Sequence, residues 1–223
     1  MIRKLARIGA VALVAVAGYA LMNFSSGPVN PAASFGAANA QEAGDVDTSQ
    51  IADMTIGAED APITMIEYAS FTCPHCGAFH NEIYPEIKKN YIDTGKVKLV
   101  YREVYFDKYG LWASMVARCG GPEKYFGIVD LLYKGQSDWA KLGSAPEIVD
   151  AFRKIGRLAG IEDEKLEACL QDGEMAQTLV AWYQENATEH DITGTPSFVI
   201  DGKKVKNLSY DGFAALFESK LGG

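Results

Sequence analysis

Cys73-Pro74-His75-Cys76 stands at a junction between two hydrophobic periods, and that junction constrains the fold more than any other part of the chain. Ahead of it, Ile63-Thr64-Met65-Ile66-Glu67-Tyr68 alternates apolar and polar residues as a strand does. Behind it, Cys76, Phe79, Ile83 and Ile87 recur at three- and four-residue spacing, the stripe of an amphipathic helix. With Cys73 as N-cap, Pro74 falls at the first helical position, where its missing N–H is no loss and its fixed φ suits the helix. Unpaired backbone N–H groups and the positive end of the helix dipole then favour a thiolate at Cys73. Cys73 is therefore read as the solvent-facing nucleophile and Cys76 as the shielded, resolving thiol. His75 can hydrogen-bond to the thiolate or, when protonated, offset its charge. A stabilised thiolate is a good leaving group, so the disulfide that it forms with Cys76 is an oxidant.

Two blander readings remain beside this one. A lone C-x-x-C can be half of a zinc site, but structural zinc takes four ligands and no second pair exists. Cys119 and Cys169 stand singly and far away, and His80 and His190 are likewise isolated. No metal or other cofactor is expected. The pair could also be a purely structural disulfide.

Residues 1–23 read as an export signal or N-terminal anchor. Arg3, Lys4 and Arg7 form a positive start, and Ile8 to Met22 is an apolar core of small residues. Ala38-Asn39-Ala40 has the small-x-small form of a cleavage site, yet it lies far beyond the apolar segment. An uncleaved anchor is the alternative, although this run falls short of the roughly 20 residues of a spanning helix. Residues 24–53, rich at first in Ser, Gly, Ala, Asn and Pro, read as a flexible linker. Export places the remainder outside the cytoplasm, with the periplasm as the expected compartment. The net charge is −8, and loss of the three basic residues at the start would make it more negative still. An acidic surface argues against nucleic acid or an anionic membrane as partner. The 48% hydrophobic content fits a packed globule rather than a disordered chain.

Past the cysteine motif the helical pattern runs to about Asp93 and ends at Thr94-Gly95, with Pro85 expected to kink it. Val97 to Val104 gives a second strand and completes a βαβ unit over residues 54–109. Residues 110–189 turn helical, with stripes such as Ile148, Phe152 and Ile155, and form an all-helical insertion. Residues 190–223 return to a hairpin, Ser197 to Ile200 and Lys203 to Val205 around Asp201-Gly202, followed by a helix with Asp211 as N-cap. The fold class is α/β, of the split α+β kind.

These residues resemble the thioredoxin superfamily and, within it, the DsbA family of exported thiol oxidases. The resemblance covers about residues 54–223. It rests on the cysteine motif preceded by Ser70-Phe71-Thr72, on Gly194-Thr195-Pro196-Ser197-Phe198, which looks like the family's cis-proline loop, and on a helical segment between the two halves. It implies a thioredoxin fold with an inserted all-helical domain. It further implies a protein dithiol:disulfide oxidoreductase that passes the Cys73–Cys76 disulfide to reduced exported proteins. A membrane quinone-linked partner of the DsbB type would reoxidise it, and it would act as a monomer. Thr195 and Pro196 would line the active-site sulfur and pair with substrate backbone, unless Pro196 merely marks a turn. Glu67 would shuttle a proton for Cys76, unless it is a solvated strand carboxylate. Cys119 and Cys169 would form a structural disulfide, as in some relatives, or remain two free buried thiols. Closing that loop would add roughly 4 kcal/mol in the chain-entropy model. A disulfide isomerase or reductase of the same fold is the nearest rival, and a non-catalytic peptide-binding chaperone is a more distant one.

Overall fold

The computed structural model describes residues 46–222. The export segment, the Ala38-Asn39-Ala40 form and the linker as far as residue 45 lie outside the described residues. Five strands form one sheet: β1 (Met54–Ile56), β2 (Ile63–Ala69), β3 (Val97–Glu103), β4 (Ser197–Ile200) and β5 (Lys203–Val205). Their order is β1-β3-β2-β4-β5, with β2 and β3 parallel and every other pair antiparallel. The parallel pair needs a crossover, and helix α1, over 74–92, supplies it. Six helices follow β3: α2 (Lys108–Cys119), α3 (Pro122–Lys134), α4 (Gln136–Trp139), α5 (Ala145–Leu158), α6 (Asp163–Gln171) and α7 (Gly173–Glu189). Helix α8 (Tyr210–Leu221) closes the chain. This is a thioredoxin fold with a helical insertion between β3 and β4.

Alternation along β2 puts Ile63 and Met65 on one face, where they pack with Phe79 and Ile87 of α1 and Phe213 and Phe217 of α8. The opposite face carries Tyr68, packed with Val104 and Val199 against Tyr183 and Ile192. Both faces of this central strand are covered, and its residues from Glu67 to Ala69 are all buried. A third cluster fills the helical insertion and reaches across to Phe71, Cys76 and Tyr101. The insertion therefore packs directly against the start of α1.

A buried ion pair ties the insertion to the sheet. The Glu103 side chain on β3 is 1% exposed and receives two bonds from Arg118 of α2, at 2.7 and 2.6 Å. Tyr125 Oη of α3 (2.7 Å) and Ser114 Oγ of α2 (3.0 Å) also donate to Glu103 Oε1. Arg118 reaches on to the Ala52 carbonyl at 3.1 Å, anchoring the chain ahead of β1. Cys119 and Cys169 join the end of α2 to α6, with their Cα atoms 5.9 Å apart, within the span a disulfide can bridge.

Three local features were not foreseen in this form. At Pro85, where a kink is expected, α1 continues, and the turn before the proline, Phe79–Ile83, is widened to π geometry. Tyr84 N–H reaches back five residues to Phe79 O, so the helix accommodates the proline's missing donor within a broader coil. The N-cap of α8 is Ser209, whose hydroxyl accepts from Gly212 N–H at 3.3 Å, and Asp211 lies in the first turn instead. Strand β1 leaves no signal in the sequence, because three residues are too few to show a period; its pairing with Leu99 to Tyr101 defines it.

Replacing Arg118 by Met should strand the Glu103 carboxylate in the interior and destabilise the protein by about 3–5 kcal/mol. Urea unfolding measures this, and a loss below about 1 kcal/mol would mean that the pair does not hold the insertion to the sheet.

Candidate active site

Cys73 takes the N-cap position of α1 with φ −81° and ψ 117°, and Pro74 follows as the first helical residue. The extended backbone turns the Cys73 side chain over the start of the helix. Its Sγ is half-buried, whereas Cys76 is fully buried against the insertion's core. Both are free thiols in this structure.

Four groups favour negative charge on Cys73. The Cys76 thiol has the largest effect, as a hydrogen-bond donor to the Cys73 sulfur; the Thr195 hydroxyl and the backbone N–H groups of Cys76 and His75 add to it. They outweigh partial burial and bring the Cys73 thiol down to about 5. Burial drives Cys76 the other way, well above the ordinary thiol range, and its bond to the Cys73 sulfur reinforces this. The two sulfurs are thus differentiated by position: one is thiolate at neutral pH and the other holds its proton. His75 contributes through its main chain, and its imidazole is exposed.

The loop before β4 supplies the facing wall. The Thr195–Pro196 bond is cis, and the neutral Cys73 thiol donates to Thr195 O at 3.5 Å. Thr195 Oγ1 is buried with no hydrogen-bond partner among the described residues, so its hydroxyl is available to an ionised sulfur. Ser70 O accepts from Cys73 N–H at 3.1 Å, and Thr72 Oγ1 donates to Asp107 Oδ2 at 2.7 Å, pinning the approach to the motif.

Glu67 is fully buried, so it is not a solvated strand carboxylate. Its Oε1 lies 3.0 Å from His80 Nε2, and its Oε2 has no partner among the described residues. The His80 ring stacks on Tyr133 with centroids 4.2 Å apart, and Tyr133 Oη is 2.7 Å from Tyr101 Oη. Burial holds both tyrosine hydroxyls well above their ordinary range, and the Glu67 carboxylate pushes each in the same direction. A buried polar group therefore lies on the Cys76 side of the motif.

His80, isolated in the sequence, is not isolated in the fold. It sits four residues after Cys76, on the same face of α1, and that spacing was the available signal. His190 is also engaged, with Nδ1 2.6 Å from Tyr68 Oη on the opposite face of the sheet. Among the described residues no three His, Cys, Asp or Glu side chains are grouped to hold a metal ion.

A thiol pair at a helix N-terminus, faced by a cis-proline loop on a sheet of this order, defines a thioredoxin-fold protein with an inserted helical domain. The chain belongs to the thioredoxin family: the family model described as Thioredoxin matches residues 49–219. Within that family it is DsbA-like. A relative from Rickettsia bellii, described as a protein-disulfide oxidoreductase, is 35% identical over 170 residues, covering 76% of this chain and 64% of the relative. The chain thus matches less than two thirds of the length of that relative. Disulfide bond formation protein D of Bacillus subtilis is 27% identical over 177 residues, covering 75% of this chain and 77% of that protein. The crystal structure of alpha-DsbA1 from Wolbachia pipientis superposes with a TM-score of 0.70 at 28% identity, over 76% of this chain and 91% of that one.

The Cys73 thiolate should titrate near pH 5 by absorbance at 240 nm. A lowered folded-state value means that ionisation stabilises the reduced form above the ordinary thiol range, and that this stabilisation fades as pH falls through about 5. Cys76→Ala removes the largest favourable contact, so the midpoint should rise. A midpoint that stays in place, or moves down, would contradict the assignment of that contact.

Proposed function

We propose that this protein is a protein dithiol:disulfide oxidoreductase that introduces disulfides into exported proteins. One observation carries the reading: Cys73 ionises readily and Cys76 does not, which makes the reduced pair stable and the disulfide oxidising. A substrate thiolate attacks Cys73 Sγ, the Cys73–Cys76 bond breaks, and Cys76 leaves with the bonding electrons and takes up a proton. A second substrate thiolate attacks the substrate sulfur of the mixed disulfide and releases Cys73 as the stable thiolate. Two substrate thiols become a disulfide, and the protein gains two electrons. A membrane quinone-linked partner of the DsbB type takes these electrons and restores the disulfide.

Cys73 is the sulfur that the substrate attacks and that leaves as thiolate, and Cys76 is its buried partner, with Pro74 setting the helix start and His75 lending its N–H. Thr195 and Pro196 present the backbone along which an extended substrate segment pairs, a mode that depends on main-chain bonds and so tolerates many sequences. Glu67, joined to His80, gives a proton to Cys76 as it leaves and takes one back when the disulfide is restored; its unpartnered Oε2 is the oxygen free to carry that proton. The Cys119–Cys169 disulfide is structural, holding α2 to α6, and suits an exported protein in an oxidising compartment such as the periplasm. Among the described residues no helix is long and apolar enough to cross a membrane.

Oxidation and reduction are distinguished by potential. Oxidases and reductants of this fold differ by about 150 mV, roughly 7 kcal/mol for two electrons. The oxidised protein should restore activity to a reduced, unfolded disulfide protein, and Cys73→Ser should abolish this. A potential as reducing as that of a thioredoxin, measured against glutathione, would exclude the oxidase and favour a reductase. Glu67→Gln should slow release of Cys76 in stopped-flow reduction by at least tenfold while leaving the 240 nm midpoint of Cys73 within about half a unit. An unchanged rate would remove Glu67 from the mechanism.

A further inference from the structure

The first residue of the short helix α4, Gln136, reaches from the insertion to the catalytic motif. Its Nε2 donates to Phe71 O at 2.7 Å and to Cys73 O at 3.0 Å, the two carbonyls on either side of Thr72. Cys73 O also accepts the first helical bond from Gly77 N–H at 3.1 Å. One amide thus bridges the loop that enters the helix and the N-cap residue itself.

The fit is close. A Cβ added at Gly77 would collide with Gln136 Oε1 and would lie 3.0 Å from its Cδ and 3.3 Å from its Nε2. Gly77 therefore leaves room for this amide beside α1. Helix α4 is itself fixed: Trp139, 3% exposed, donates Nε1–H to Leu132 O at 2.8 Å and packs edge-on against Phe152 with centroids 5.0 Å apart.

We propose that Gln136 is a positioning residue for the reactive thiol, through which the helical insertion sets the ionisation of Cys73. Its two bonds fix the peptide planes around Cys73, and these planes aim the sulfur at the N–H groups of His75 and Cys76. Without the amide the N-cap loses a constraint, and the thiolate loses part of its donor set. The insertion then acts on the sulfur through the backbone that carries it.

The inference rests on Cys73 being the ionised thiol, and wild-type titration tests that separately. If the wild-type midpoint is that of an ordinary thiol, the functional reading fails first. Given a low wild-type midpoint, Gln136→Met, which keeps bulk against Gly77 but has no donor, should raise it by about one unit. The glutathione equilibrium should shift about tenfold toward the oxidised protein, equivalent to about 30 mV. Gly77→Ala evicts the same amide and should give a similar rise on its own, yet add nothing in a Gln136→Ala background, where the space is free. Midpoints unchanged in Gln136→Met, or Gly77→Ala and Gln136→Ala shifts that simply add, would overturn the proposal. If Gln136→Met does not fold, the Gly77 and Gln136→Ala cycle decides alone. Loss of thermal stability with no movement of the midpoint would make Gln136 a packing residue only.

Discussion

A charged sulfur at the first turn of a helix is the interaction on which the rest of this structure depends. Helix α1 offers backbone N–H groups at its start, and Pro74 defines where that start falls. Neither would lower a thiol far without a neighbour placed to donate. Cys76 supplies that neighbour from one turn away, and the Thr195 loop brings a hydroxyl from the opposite side. The fold's two halves, before and after the helical insertion, meet at this one atom. Strand β2 leads into the motif and pairs with β4, which begins just after Pro196, so the sheet register itself sets the sulfur against the loop.

The buried side of the motif has the opposite chemistry. Cys76 lies in an apolar core where ionisation is costly, yet Glu67, His80, Tyr101 and Tyr133 bring polar atoms into that core. A buried carboxylate is unfavourable unless bonded, and only one oxygen of Glu67 has a partner among the described residues. An exchange reaction that charges and discharges a buried sulfur gives such a group a use. The insertion contributes Tyr133 to this side and Gln136 to the other, so both cysteines depend on helices that follow β3 in the chain.

Much of this was legible in the amino acids. The strand before the motif, the helix after it and the insertion's stripes all rest on period, which a single sequence displays. Asp201-Gly202 announced its hairpin, and the two residues adopt the positive φ values, 47° and 76°, that such a turn requires. The burial of Glu67 was not legible, because a period-two pattern assigns a face but does not say that both faces of a central strand are covered. Ser209 and Asp211 are both able caps, and the position at which α8 can dock decides between them. Gln136 left no trace at all: it lies more than sixty residues from Cys73 in sequence, and an isolated glutamine after a glycine has no pattern to read.

The most direct test of the account is the equilibrium between the oxidised protein and glutathione, followed from pH 4 to pH 8. Reduction that leaves Cys73 as thiolate and Cys76 protonated releases one proton while glutathione remains a thiol. The equilibrium constant for reduction should therefore be flat below about pH 5 and then rise about tenfold per pH unit. A constant that stays level across the whole range would show that the Cys73 sulfur ionises no more easily than a free cysteine, and the account would lose its cause.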